Sequence, residues 1–324
     1  MSEVILQVED LYTSFFTRAG EVKAVNGVNF VLHEGETLGL VGESACGKTV
    51  TGLSLLRLLP EPAGKIVQGK IILDGVNIME LRKKAMRHIR GTKISMILQD
   101  PMTSLNPVYT VGNQIGESIR LHQGLQDNEV EKEIISALRL LRIPAPEQRL
   151  RDYPFQMSGG MRQRVVGSIA MSCRPKVLIA DEPTTALDAT IQAQYLALFR
   201  DIQAHTNVGI IFITHDFGVV ANLCHRVAVM YAGKIVETAD TSTIFKRPSH
   251  PYTVALIHSV PRLEEKEERL YSIEGQPPSL LNLPPGCRFA ARCPDVMDIC
   301  RQEQPPEIDL GNGHLVSCWK VNKS

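Results

Sequence analysis

Gly42-Glu43-Ser44-Ala45-Cys46-Gly47-Lys48-Thr49 fits G-x-x-x-x-G-K-S/T, directly after the apolar run TLGLV at 37–41. A helix is expected to open at Lys48 and run to about residue 59. Strand, glycine-rich turn and helix in that order form a cradle for phosphate. The glycines let successive backbone N–H groups face the anion, and the helix start brings the positive end of its dipole. Lys48 can reach the β and γ oxygens of a nucleoside triphosphate, and Thr49 offers a hydroxyl to Mg²⁺. Small side chains at Ala45 and Cys46 keep the turn tight, while Cys46 places a thiol beside the phosphates, open to oxidation or alkylation.

Outward from the loop, the apolar strand expected at 177–180 runs into Asp181 and Glu182. Consecutive strand residues point to opposite faces, so the two acids are assigned different work. Asp181 is expected to hold Mg²⁺ through its water shell and Glu182 to polarise the attacking water. A further apolar strand, expected at 209–213 within GIIFIT, leads to His215, placed to contact the γ-phosphate and hold that water. Hydrolysis of a bound nucleotide requires the glycine loop and the two acids to converge on one Mg-bound triphosphate.

These strands are apolar on consecutive residues, as expected where helices cover both faces of a largely parallel sheet. The α/β pattern extends from residue 4 to about 243, and the polar, proline-punctuated stretch from about 90 to 156 suggests an inserted helical subdomain. In a chain of 324 residues with 44% hydrophobic content, a large core is available. Lys plus Arg and Asp plus Glu each total 35, so no net charge favours nucleic acid or anionic lipid. No basic start followed by an apolar run is present and no apolar run approaches a membrane span, so a cytoplasmic chain is expected. Of seven cysteines, Cys287, Cys293, Cys300 and Cys318 crowd the end of the chain with spacing C-x5-C-x6-C-x17-C. Four thiols in a proline-rich stretch too short for its own core suit a metal staple; zinc sites usually show C-x2-C pairs, absent here, and zinc, free thiols and disulfides stay open as readings.

Met157-Ser158-Gly159-Gly160-Met161-Arg162-Gln163-Arg164 resembles the signature of ABC ATPases, with Met161 where Gln is usual. Gln99 in ILQDP resembles the Q-loop of that family, and Ala186-Leu187-Asp188 its D-loop. The resemblance covers essentially the whole chain. It implies an α/β fold of the P-loop NTPase ABC type, a mixed sheet with a RecA-like core, an antiparallel β part and a helical subdomain at about 91–160. The ATPase domain is then 1–247, and a small loop-rich C-terminal extension occupies 248–324. It also implies ATP and Mg²⁺ as ligands, with Thr49, Gln99 and Asp181 at the metal, Val50 beside the phosphate loop, and Glu182, His215 and Gln99 in catalysis. Ser158, Gly159 and Gly160 open a helix that serves the partner's nucleotide, with Asp188 nearby. Adenine in the family stacks on an aromatic residue near the first strand; LYTSFF offers Tyr12, Phe15 and Phe16, and Phe15 fits the usual spacing best.

QDPMTSLNP, DEPTTALDATIQAQ and Arg247-Pro248-Ser249-His250-Pro251-Tyr252-Thr253 look like the dipeptide, oligopeptide and nickel importer group. That resemblance implies a 4Fe-4S cluster on the four C-terminal cysteines. It also implies a second ATPase subunit, expected to be a different chain with a second copy of this one as the alternative, two transmembrane permease subunits, an external peptide-binding protein, and a place on the cytoplasmic face of the membrane. Nickel or another small solute remains an alternative cargo, and a non-transport ABC protein an alternative role. A P-loop kinase or GTPase would have no use for MSGGMRQR.

Overall fold

The structure, a computed structural model, describes residues 3–185, 187–260 and 272–322. The first elements are strands β1 (Val4–Thr17), β2 (Gly20–His33) and β3 (Thr37–Val41), helix α1 (Lys48–Leu55), β4 (Gly64–Leu73), β5 (Val76–Asn77), α2 (Lys83–Thr92) and β6 (Ile94–Ile97). Helices α3 (Pro101–Ser104), α4 (Val111–Gln123), α5 (Asp127–Leu140), α6 (Pro146–Arg149) and α7 (Gly159–Met171) come next. Then follow β7 (Val177–Asp181), α8 (Ala189–Thr206), β8 (Gly209–Thr214), α9 (Phe217–Leu223), β9 (Arg226–Tyr231) and β10 (Lys234–Asp240). The chain ends with α10 (Thr241–Lys246), α11 (Pro251–His258), α12 (Asp298–Gln302), β11 (Ile308–Asp309) and β12 (Leu315–Val316). No described helix is long and apolar enough to cross a membrane. The chain divides into two compact units, one comprising Met1–Leu6, Val31–Glu36 and Ile72–Phe212, the other Gln7–Phe30, Thr37–Ile71 and Ile213–Ser324.

In the first unit β6 pairs in parallel with β7, Ile94 opposite Val177 and Ile97 opposite Ala180. Every residue of β7 is buried, as a strand covered on both faces requires. Helices α4, α5 and α7 pack on one another, and α7 also lies against β6. Thr110 caps α4 by accepting from the Asn113 N–H, and Gly112 lets the helix approach the Leu150 carbonyl, where a Cβ would sit 2.7 Å from that oxygen. The polar region expected to be helical from about residue 90 thus begins with a strand, because four residues are too few to register a period.

In the second unit β9 lies between β3, its parallel partner, and β10, its antiparallel partner. Val227, Ala228, Val229 and Met230 are fully buried there; a buried Val contributes about 1.5–3 kcal/mol relative to an exposed one. The C-terminal residues continue this sheet: β12 pairs with β10, Val316 opposite Glu237, and β11 pairs with β12. Strands β2, β1 and β4 lie in that order in a second sheet. Helix α1 ends earlier than its expected limit near residue 59. Leu56 caps it, Arg57 turns into the left-handed region at φ 52°, and Leu58 N–H closes on the Leu53 carbonyl.

Candidate active site

The phosphate loop lies in the second unit, between β3 and α1. Gly42 at φ 152° and Gly47 at φ 105° occupy backbone conformations closed to most L side chains, and a Cβ on either would strike a carbonyl, that of Met230 or of Ala24. The Lys48 ammonium folds over the loop and donates to the carbonyls of Gly42 (2.8 Å) and Glu43 (2.9 Å). The loop's far side is pinned by the Gly233 N–H on the Cys46 carbonyl (2.8 Å). Cys46 is only 4% exposed, its thiol lies 3.7 Å from the Lys48 amine, and burial pushes its pKa up. The expected exposure of that thiol to alkylation is therefore corrected: it packs inward as a small apolar group, and the thiolate that would react is disfavoured. Thr49 is exposed at the start of α1 and Val50 half-buried beside it.

In the first unit Asp181 ends β7 almost fully buried. Glu182 has left the strand: its φ of 44° turns the chain, so a left-handed backbone rather than strand alternation separates the two carboxylates. Gln99 Nε2 donates to Glu182 Oε2 at 2.8 Å and Thr185 Oγ1 donates to the same oxygen at 3.1 Å. The sequence reading missed Thr185; a hydroxyl three residues beyond an acid was the available signal. Ser158 caps α7 by accepting the Met161 N–H (3.3 Å), and Ser158, Gly159, Gly160, Met161, Leu187 and Asp188 line one open pocket. The Asp188 carboxylate caps α8 on Thr190 and Ile191 N–H. Ala186 of the expected D-loop lies outside the described residues.

His215, in the second unit, stands exposed just past β8, and the neighbouring Asp216 caps α9 through the Gly218 and Val219 N–H groups. Phe15 is half-buried against Gly64, whereas Phe16 is exposed beneath the Lys65 ammonium at 5.5 Å.

The segment Arg247 to Thr253 has a structural task that its sequence did not reveal. The buried Glu237 carboxylate accepts the Ser249 and His250 N–H groups (2.7 and 3.0 Å) and contacts His314 Nε2 (2.7 Å). His250 Nδ1 accepts the Tyr252 N–H, and burial draws the His250 pKa down to about 3, so the ring stays neutral. The Tyr252 hydroxyl in turn accepts the Glu43 N–H of the phosphate loop (2.9 Å). Cys287, Cys293, Cys300 and Cys318 are free of disulfides and line one small cavity with His250, Phe289 and Trp319. Burial first, and then their neighbours' charge, push the Cys287 thiol up and the Cys293 thiol to about 11. Among the described residues no group of three or more His, Cys, Asp or Glu is arranged to hold a single metal ion.

The ABC transporter family model matches residues 25–185 and the model for the C-terminal region of oligopeptide/dipeptide transporters matches 236–300. The fold resembles the solved structure of cbiO1 from Clostridium perfringens, part of the ABC transporter complex cbiONQ, at a TM-score of 0.65 and 26% identity over 76% of this chain and 92% of that one. An ATP-binding cassette solved as a dimer with ADP and phosphate matches at the same TM-score and 22% identity, over 73% of this chain and 98% of that one. The dipeptide transport ATP-binding protein DppD of Bacillus subtilis is 51% identical over 98% of this chain and 95% of its own length. The oligopeptide transport ATP-binding protein OppD of the same organism is 49% identical over 98% and 89%. The chain belongs to the ABC transporter ATPases, in the group of dipeptide and oligopeptide transport ATP-binding proteins.

Proposed function

We propose that this chain is the ATP-hydrolysing subunit of an importer for di- or oligopeptides, seated on the cytoplasmic face of the membrane beneath two permease subunits. The observation that carries this reading is the match along nearly the full chain to two peptide-transport ATPases of Bacillus subtilis, the cysteine-bearing extension included. A second ATPase subunit, expected to be a different chain, completes the pair, and an external binding protein selects the cargo.

In this reading Lys48 and the Gly42–Thr49 backbone hold the triphosphate, and Thr49, Gln99 and, through its water shell, Asp181 would hold Mg²⁺, which would neutralise charge on the phosphates. Glu182 accepts a proton from the attacking water, which His215 helps to hold. Ser158, Gly159 and Gly160 present N–H groups and a helix dipole to the nucleotide of the opposite subunit, with Asp188 beside them. Phe15 stacks on adenine. The test is reconstitution with the permease pair and ATPase partner in vesicles loaded with external binding protein. Hydrolysis is expected to rise when a peptide ligand is added; a rise with nickel alone would replace the peptide assignment.

Cys287, Cys293, Cys300 and Cys318 are proposed as ligands of a 4Fe-4S cluster. Supporting this are four thiols, free of disulfides, that line one small cavity. When bound, such a group staples the extension by ligation. Anaerobically purified protein is expected to absorb near about 400 nm, through thiolate-to-iron charge transfer, and to lose the band in Cys300→Ser. A colourless anaerobic preparation would count against the cluster.

A further inference from the structure

We propose that Arg292 is a positioning residue that joins the four-cysteine lobe to the phosphate loop, so that the state of the thiols sets how tightly the loop holds a nucleoside triphosphate. Arg292 directly precedes Cys293, and its side chain is 4% exposed. Nη1 and Nη2 donate to the two oxygens of the Glu43 carboxylate at 2.7 and 2.8 Å. The remaining donors are engaged as well: Nη1 reaches the Tyr231 hydroxyl (3.3 Å), Nε the Glu274 carbonyl (3.0 Å) and Nη2 the Ile273 carbonyl (3.3 Å). The Tyr231 and Phe289 rings lie 5.8 and 6.0 Å from the guanidinium.

Glu43 is the second residue of the phosphate loop, and its carbonyl is one of the two that hold the Lys48 ammonium. From Cys293 to Lys48 the links are therefore one peptide bond, the paired Arg292–Glu43 bonds, and the hydrogen bond from Lys48 to the Glu43 carbonyl. Two parallel charge-assisted bonds fix the angle as well as the distance between guanidinium and carboxylate. A shift of the Cys293 backbone must therefore carry Glu43 with it or break a partly buried, bidentate ion pair. Tyr252 gives the lobe a second hold on the same residue, since its hydroxyl accepts the Glu43 N–H and its ring packs at 5.3 Å on Phe289, two residues from Cys287. No catalytic role is assigned to Arg292; it acts through Glu43 and Lys48.

The link from Arg292 to the loop stands on geometry alone, whereas its use as a sensor rests on the proposed metal reading of the cysteines. The test is titration of the purified full-length chain with a fluorescent ATP analogue and Mg²⁺, with melting temperatures recorded in parallel. Arg292→Ala is expected to weaken binding about tenfold, within the usual range of coupling between sites, and Arg292→Lys, which keeps the charge but not the fork, to recover part of the loss. Cys293→Ser is expected to weaken binding in the native background and to add nothing in the Arg292→Ala background. Unchanged affinity in Arg292→Ala, even with a lowered melting temperature, would overturn the proposal. So would an equal effect of Cys293→Ser in both backgrounds. A chain without the visible band but with weakened binding in Arg292→Ala would remove the cluster and leave the link standing.

Discussion

Glu182→Gln is expected to lower ATP turnover by about 10²–10⁴-fold, the span that a positioned general base contributes, while nucleotide binding is retained. Two donors on this carboxylate, Gln99 Nε2 and Thr185 Oγ1, meet the same oxygen, Oε2. A glutamine side chain can turn its carbonyl oxygen to both and so keep these two bonds. It places an NH₂ group where Oε1 stood, and an amide nitrogen has no basic lone pair with which to take a proton from water. Binding and chemistry should therefore separate: the variant saturates with ATP, and with its partner ATPase it accumulates as a closed, nucleotide-loaded assembly. Single-turnover hydrolysis in the reconstituted assembly is the measurement, and a rate within a few-fold of the native one would remove Glu182 as the base.

The left-handed backbone at Glu182 adds to this expectation. A non-glycine residue at φ 44° costs roughly 1–2 kcal/mol relative to the right-handed conformation, and such outliers persist where the surroundings over-determine them. Sequence periodicity could mark the apolar strand and the acids that follow it, but not the point at which the strand stops. The expectation that the two acids diverge by strand alternation therefore gives way to a turn. Local order was legible: the strand, glycine turn and helix around the phosphate loop, and the helix that begins at Ser158, follow short motifs. Sequence reading was blind to partners far apart along the chain. Arg292 and Glu43 are separated by 249 positions, and nothing local to either residue announces the other. Arg247 to Thr253 marked a subgroup in the sequence, yet the reason for its His-Pro-Tyr, a path from buried Glu237 to the Glu43 N–H, exists only in the folded chain. The two-residue strands β11 and β12 are likewise too short to leave a pattern.

Lys48→Ala should fail at the earlier step, weakening ATP binding before hydrolysis can be measured. The ammonium is held by the Gly42 and Glu43 carbonyls and Lys48 is buried, so its direction is set by the loop that it serves. A hydrogen bond to a charged group contributes about 1.5–3 kcal/mol net, which corresponds to roughly a 10- to 150-fold rise in Kd. The loss should be specific to the phosphates: an adenosine that lacks them should compete no worse against the variant than against the native chain. Stability should change little by comparison, because the substitution also removes a buried charge along with the two bonds it made. Titration with a fluorescent ATP analogue and a melting curve on the same sample separate these effects. A Kd within about threefold of native, under 1 kcal/mol, would mean that Lys48 is a brace for the loop and that the backbone N–H groups hold the phosphates without it.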